Sequence, residues 1–318
     1  MAWRLKLVPD KTSVPFMRVR KGAFGLSGIL AVLSIVLLVI LGLNFGIDFR
    51  GGTLIQVKTQ GPANISVMRD AVGSLNLGDL ALQEFGEEDE VLIRVERQVG
   101  DSEEQQAAVE VIKRALEDVI EGDIEYRRVE FVGPQVSSEL VRAGALALGL
   151  ALAAMLIYIW FRFEWQFSVG AVTALVHDVI LTFGFFAITG LEFNLSIVAA
   201  ILTIVGYSMN DTVVVYDRVR ENLRKYKKMD LKELIDLSIN DTLSRTTLTS
   251  VTTMLALVAL AVVGGPVIAG FVLAMIWGVV IGTYSSIFVA APVLLYLGVR
   301  REVFDKETDE KPGDATPA

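Results

Sequence analysis

One predicted helix of this chain carries polar residues along a single face, although the rest of the helix is apolar. The segment between Phe193 and Tyr216 is rich in isoleucine, valine and alanine. Its polar side chains recur at helical spacing, and they are Thr203, Tyr207, Asn210 and Asp211. A charge at the centre of a membrane-spanning helix costs at least about 2.5–3.5 kcal/mol on insertion scales. The pattern therefore indicates a functional carboxyl group, and reversible proton uptake is a function that a carboxyl group can perform.

A second polar face begins at Arg245 and continues through Thr249 on the next apolar segment. Asp211 lies about 9 Å inside the end of its helix marked by Asp217, because a helix rises about 1.5 Å per residue. Arg245 enters from the same end, so we expect the two side chains at similar depth. The pair predicts a proton relay in which the acid is loaded and unloaded while the arginine stays charged. Its predicted polar neighbours are Asn210, Tyr207 and Thr249.

Other interpretations of these residues stay open. Asp211 could form a structural ion pair between helices, and Arg245 could be an anchor at the membrane interface. His177 and Asp178 are weaker candidates for the relay. Being adjacent, they point about 100° apart on a helix, and we expect them not to share one narrow face. His177 could equally be only a packed, hydrogen-bonded helix contact.

The remaining sequence offers no other source of energy or catalysis. There is no cysteine, which excludes disulfides and thiolate metal sites, and there is no phosphate-binding G-x-x-x-x-G-K-[ST] motif. We therefore predict a protein that is not an enzyme, has no cofactor or metal and is driven by an ion gradient. The residues fit a proton or a sodium ion equally.

The composition indicates a membrane protein. Apolar residues make up 53% of the 318 residues, and the mean hydropathy is +0.53. A bilayer needs about 20 apolar residues per helical span. Six stretches meet this requirement: residues 23–43, 143–161, 165–191 and 193–216, and two within 246–299 separated by the turn Gly264-Gly265-Pro266.

Lysine and arginine flanking the spans predict the orientation. The basic arm at residues 1–22 has six of them, namely Arg4, Lys6, Lys11, Arg18, Arg20 and Lys21. The segment at residues 217–245 has eight. Both are predicted to be cytoplasmic, the second as a loop within the helical region 139–299, and so is the acidic tail at residues 300–318.

The insert at residues 44–138 is then predicted to lie outside, on the opposite side of the membrane from the cytoplasm. Its nine basic and nineteen acidic residues give a net charge of −10. Its acidic surface could be ordinary solvation or a docking surface. Its pattern predicts an α+β ferredoxin-like domain of order β-α-β-β-α-β. The elements are a strand at 53–58, a helix at 65–75, strands at 80–85 and 90–97, a helix at 103–120 and a strand at 124–132.

The sixth span carries small residues at intervals of four. They are Gly270, Ala274, Gly278, Gly282, Ser286 and Ala290. Such a face lets a neighbouring helix approach closely. The neighbour could belong to this chain or to another subunit.

Six motifs in order resemble the signatures of the bacterial SecF family. They are GIDFRGGT at 46–53, VGPQVSSEL at 132–140, RFEW at 162–165, HD at 177–178, AAILTIVGYSMNDTVVVYDRVREN at 199–222 and NDTLSRTTLTSVTT at 240–253. The resemblance implies an α-helical membrane protein with six transmembrane helices of RND type and the small extracytoplasmic domain between helices 1 and 2. It also implies that Asp211 and Arg245 take part in proton transfer.

The resemblance implies a function in protein export, driven by the proton motive force. The implied partners are SecD in a heterocomplex, the SecYEG channel, YajC and YidC, exported preproteins and membrane lipid, and no nucleic acid is among them. Two alternatives remain from the residues alone: an RND-type subunit for efflux of small molecules, and a scaffold of the translocon or insertase that is not a motor.

Overall fold

The computed structural model describes residue 9, residues 12–98, residue 100 and residues 102–299. The described residues do not include Arg4, Lys6 and Lys11 of the predicted basic arm. They also do not include the predicted acidic tail at residues 300–318. In chain order the elements are α1 (Arg20–Leu41), α2 (Ile47–Arg50), β1 (Gly52–Lys58), α3 (Ile65–Gly73), β2 (Leu80–Phe85), β3 (Glu87–Val95), α4 (Ser102–Glu117), β4 (Glu125–Val132), α5 (Pro134–Arg162), α6 (Trp165–Thr189), α7 (Leu195–Lys225), α8 (Leu231–Val263), α9 (Pro266–Ser285) and α10 (Ala291–Leu297).

The predicted number of membrane spans is confirmed. Six helices of the described chain are long and apolar enough to cross a bilayer. Five are α1, α5, α6, α7 and α8. The sixth is continuous from α9 through a π-helical segment at Ser286–Ala290 to α10.

The insert has the predicted β-α-β-β-α-β order. Its four antiparallel strands lie in the order β2-β3-β1-β4, as in a ferredoxin-like sheet. The second helix ends at Glu117, three residues before its predicted end at residue 120. Ile112 and Leu116 of this helix are fully buried against the sheet. A short helix missing from the prediction, α2, precedes the first strand.

Gly52, the first residue of β1, allows this strand to begin close to the neighbouring strand β3. Its φ is +116°, and a Cβ at this position would lie 2.5 Å from the carbonyl oxygen of Val95. The strand that follows is buried on both faces except at its end. One face packs on α3 and α4, while Leu54 packs with Ile47 and Leu92 on the other.

The GIDFRGGT motif ties the sheet domain to the turn between α6 and α7. The carboxylate of Asp48 accepts a hydrogen bond from the Leu195 backbone amide at 2.9 Å, at the start of α7. Asn44 donates from Nδ2 to the carbonyl oxygen of Gly190 at 2.9 Å. A Cβ on Gly86 of the β2–β3 turn would lie 2.8 Å from Pro266, at the other interhelical turn. The domain and both turns therefore lie at the same end of the bundle.

The predicted loop at residues 217–245 is mostly helical, and this part of the prediction is wrong in its local structure. Helix α7 runs to Lys225 and α8 begins at Leu231, with the Asp230 side chain accepting from the Lys232 amide at 3.0 Å. These turns are polar, so hydropathy alone cannot detect that the spanning helices continue through them.

The small-residue face of the sixth span packs inside the chain. A Cβ on Gly278 would overlap Ile204 of α7, and one on Gly282 would lie 2.9 Å from the Ser208 Cβ. Of the two interpretations of this face, packing within the chain is confirmed. Close contact of this kind is the main source of helix association where lipid surrounds the helices.

Candidate functional site

Asp211 lies on the inner side of α7, facing α8. Its side chain is only 3% exposed. Oδ1 accepts a hydrogen bond from the Thr246 hydroxyl at 3.3 Å, whereas Oδ2 is buried and has no hydrogen-bond partner among the described residues. Burying a carboxylate charge costs free energy, and a hydrogen bond to only one of its two oxygens offsets little of that cost. Its second oxygen is a position where a proton can be taken up.

The structure places Arg245 at the predicted depth but facing another direction. Its neighbour Thr246 contacts Asp211, and successive residues of a helix point about 100° apart. The side chain of Arg245 is exposed, and in the described part of the chain it forms no ion pair with Asp211. The alternative of a structural Asp211–Arg245 ion pair therefore has no support from this geometry.

Of the three predicted polar neighbours of Asp211, Tyr207 and Thr249 lie in hydrogen-bonded groups, and Asn210 lies apart from them. Tyr207 donates to the Ser250 hydroxyl at 3.4 Å, and Ser250 contacts the Thr283 hydroxyl at 2.8 Å, which links α7, α8 and α9. Thr249 bonds back to the carbonyl oxygen of Thr246 at 2.9 Å, in the turn beside Asp211. Asn210 is exposed on the outside of α7 and does not join this group.

A second buried carboxylate, Asp178, lies deeper in the bundle. It is 1% exposed, and its Oδ2 accepts from the hydroxyls of Ser208 at 2.5 Å and Ser285 at 2.8 Å. Asp178 thus joins α6 to α7 and α9. The two serines were missed by sequence reasoning, although Ser208 lies within the GYSMNDT sequence that carries Asp211.

The expectation that His177 and Asp178 cannot share a face is wrong. His177 Nδ1 lies 2.9 Å from Asp178 Oδ1. The Cβ directions diverge by about 100°, but both side chains extend far enough from the helix to turn toward each other. His177 is therefore part of the Asp178 cluster.

The π-helical segment Ser286–Ala290 directly follows Ser285. A π-turn changes which backbone groups of a helix are paired, and such turns occur frequently at functional sites. Here the buried Tyr216 hydroxyl donates to the Ala290 carbonyl oxygen at 3.0 Å. The irregular backbone is thus satisfied by a side chain of α7.

Arg94 and Glu192 are charged groups at the joint between the sheet domain and the spans, outside the membrane-spanning helices. Arg94 donates to the Phe45 carbonyl oxygen at 2.6 Å and to the Asn44 side chain at 3.0 Å. Burial raises the pKa of Glu192, and the positive charge of Arg94 opposes that shift. Burial likewise lowers the pKa of Arg94, opposed by Glu192. Each group therefore favours the charged form of the other.

Three carboxylates in the sheet domain come close enough together to suggest a metal site. They belong to Glu87, Asp89 and Glu90. The ammonium group of Lys58 lies among them, at 3.2 Å from Glu87, 3.1 Å from Asp89 and 3.5 Å from Glu90. The cluster is therefore an ion-pair network whose countercharge the chain itself supplies.

A six-span bundle with an inserted ferredoxin-like domain and intramembrane carboxylates defines a membrane transport subunit with an RND-like fold. Two family models match the chain. The model for the C-terminal region of the protein export membrane proteins SecD and SecF matches residues 111–300, and the model for the SecD/SecF GG motif matches residues 36–63. The chain belongs to the SecD/SecF family.

Individual relatives agree with this assignment. The chain is similar to the protein translocase subunit SecF of Rickettsia felis, with 46% identity over 96% of this chain and 98% of the relative. It is 48% identical to SecF of Rickettsia bellii, over 91% of this chain and 95% of the relative. SecF of Rhodobacter capsulatus is 46% identical, over 98% and 97% of the two chains. These matches place the chain among the translocase subunits named SecF.

Solved structures support the fold. The crystal structure of SecDF from Thermus thermophilus, a translocon-associated membrane protein, is 32% identical with a TM-score of 0.83, over 92% of this chain. SecDF in its super-membrane-facing form is 29% identical with a TM-score of 0.67, over 97% of this chain. The chain spans 40% and 41% of those two longer proteins.

Proposed function

We propose that this chain uses the proton motive force, as the SecF subunit of a SecD/SecF complex, to assist protein translocation through the SecYEG channel and release from it. The observation that carries the proposal is Asp211, a buried carboxylate whose Oδ2 has no hydrogen-bond partner among the described residues. Protonation there removes a charge that is costly at membrane depth. One proton crossing the membrane potential supplies about 2.3 kcal/mol per 100 mV, enough to shift a two-state equilibrium.

A SecD-like partner is part of this proposal. Arg245 and Asn210 are exposed on the outside of adjacent spanning helices, and lipid is a poor environment for either side chain. The solved SecDF chains also contain a further portion, well over half of their length, that this chain does not match. We infer that a SecD-like half covers this surface and brings its own polar groups to Arg245 and Asn210. YajC, YidC and exported preproteins are the further partners in the proposal.

Depletion and restoration of the chain test this function. Inner-membrane vesicles that lack the chain are expected to export a preprotein at a rate insensitive to the proton gradient. Restoring the chain with its SecD-like partner is expected to recover the stimulation by the gradient. Stimulation of equal size in the depleted vesicles would contradict the proposal, and recovery that is the same without a gradient would favour the scaffold.

The proposed location is the bacterial inner membrane, with both termini in the cytoplasm and residues 44–138 in the periplasm. The support is the excess of lysine and arginine in residues 1–22 and 217–245. The sheet domain lies at the opposite end of the bundle from the α7–α8 turn, as this topology requires.

Single cysteines test the topology cleanly because the chain has none of its own. Glu88→Cys and Lys228→Cys each place one thiol at an exposed position. A membrane-impermeant maleimide applied to cells with a permeable outer membrane is expected to label Glu88→Cys only. Both thiols are expected to react after the inner membrane is also opened. Labelling of Lys228→Cys in intact inner membranes would refute the orientation.

A further inference from the structure

The cluster around Asp178 contains a nitrogen that the hydrogen bonding leaves unused. His177 is the only histidine of the chain and is 7% exposed. Its Nδ1 contacts Asp178, whereas its Nε2 is buried without a hydrogen-bond partner among the described residues. Buried polar atoms are nearly always paired, so an unpaired one indicates strain or function.

The hydroxyl donors around Asp178 match an ionised carboxylate. Oδ2 of Asp178 receives the hydroxyls of Ser208 and Ser285, and its Oδ1 faces His177 Nδ1. An ionised carboxylate only accepts hydrogen bonds, so beside it Nδ1 carries a proton, and we take the imidazole as neutral in the resting state. The lone pair of that ring then lies on Nε2. The cluster holds one negative charge and one vacant basic nitrogen.

Few other ionisable groups surround this cluster. On α9 the ring of Tyr284 lies 6.1 Å from the ring of His177, and its hydroxyl contacts Ser27 of α1 at 2.9 Å. On α7 the ionisable side chains nearest in sequence are Tyr207, directly before Ser208, and Asp211, three residues after it. Residues 22–41 of α1 contain no charged residue. Protonation of the cluster therefore depends mainly on His177 and Asp178.

We propose that His177 and Asp178 form a second proton-accepting site, separate from Asp211. The lone pair of Nε2 takes up one proton, and the cluster changes from a net charge of −1 to a neutral imidazolium–carboxylate pair. The new N–H requires an acceptor that the present arrangement does not supply. Proton uptake therefore favours a rearrangement where α1, α6 and α9 meet, while Asp178 remains tied to α7 and α9. This site goes beyond the proposed function and does not depend on it.

The single histidine makes this site directly observable. The full chain is labelled with ¹⁵N-histidine, purified with its partner through a histidine-free tag and studied by NMR as the pH is lowered from about 8 to about 5, where histidines usually titrate. At the upper pH we expect one protonated nitrogen, Nδ1, and one unprotonated nitrogen, Nε2. On acidification we expect Nε2 to become protonated in a single step. A proton on Nε2 at the upper pH, or no change down to the lower limit, would overturn the proposal.

Two variants separate a proton site from a packing contact. Asp178→Asn is expected to remove the titration step from this range, because an imidazolium would then be an unpaired buried charge. Asp211→Asn, the matched change at the other carboxylate, is expected to leave the step in place. Should Asp178→Asn fail to fold, Ser208→Ala, which removes one hydrogen bond to Oδ2, is expected to displace the step. A step that none of these changes affects, or that Asp211→Asn abolishes, would contradict a separate His177–Asp178 site.

Discussion

Asp211→Asn is expected to abolish the stimulation of protein export by the proton gradient, leaving the rate measured without a gradient. Asparagine has nearly the same shape as a protonated aspartate but cannot release a proton. It therefore holds this position permanently in one of the two states that a relay must visit. The measurement is the export rate in vesicles, with and without a gradient, for the wild type and the variant.

The structure identifies a control residue for this experiment. Asp217 lies on the same helix near its end and forms an ion pair with Arg162 at 2.7 Å, with 44% of its side chain exposed. Asp217→Asn therefore removes a carboxylate from α7 without touching the buried site, and surface ion pairs contribute only about 0–1 kcal/mol. We expect it to export like the wild type.

Assembly must be measured beside export. Because Arg245 forms no ion pair with Asp211 in the described chain, removing the carboxylate does not leave a buried arginine unpaired. We therefore expect Asp211→Asn to insert and to bind its SecD-like partner in normal yield. Full stimulation by the gradient at normal yield would remove Asp211 from the mechanism, whereas lost assembly would indicate a structural role.

Local sequence patterns predicted most of the fold. Apolar length identified the six spans, and the strand and helix periods of the apolar residues identified all six elements of the sheet domain. The strand at Leu80–Phe85 has the predicted bounds. The pattern did not predict the helical turns of α7 and α8 on either side of Asp230. The residues of these turns are polar and therefore give no hydropathy signal.

The site was predictable only in part, because helical spacing fixes a residue's depth better than its partner. The spacing placed Asp211 and Arg245 at one level, but the contact is made by Thr246. The contacts of Asp178 with Ser208 and Ser285 join residues 30 and 107 positions apart, and nothing local specifies them. Such long-range contacts depend on how α6, α7 and α9 pack.

Gly278 makes this packing possible, and Gly278→Ala is expected to destabilise the protein by about 1–3 kcal/mol, the usual cost of overpacking. A Cβ at this position would overlap the side chain of Ile204 and lie 2.7 Å from its Cγ2. The neighbour is held in the bundle core, with 2% of its surface exposed, so it has little room to move. Separating α7 from α9 would also stretch the hydrogen bonds that Asp178 receives from Ser208 and Ser285.

Gly270→Ala is the matched control, since it lies two turns away on the same face of the same helix. Its Cβ would meet only Ile197 Cδ1, at an ordinary contact distance of 3.6 Å. The double variant Gly278→Ala with Ile204→Ala removes the overlapping atoms, so it is expected to cost less than the sum of the two single variants, by a coupling free energy of about 0.5–3 kcal/mol. The measurement is thermal unfolding of the purified complex in detergent. If Gly278→Ala and Gly270→Ala are equally stable, the close approach of α7 and α9 does not depend on Gly278.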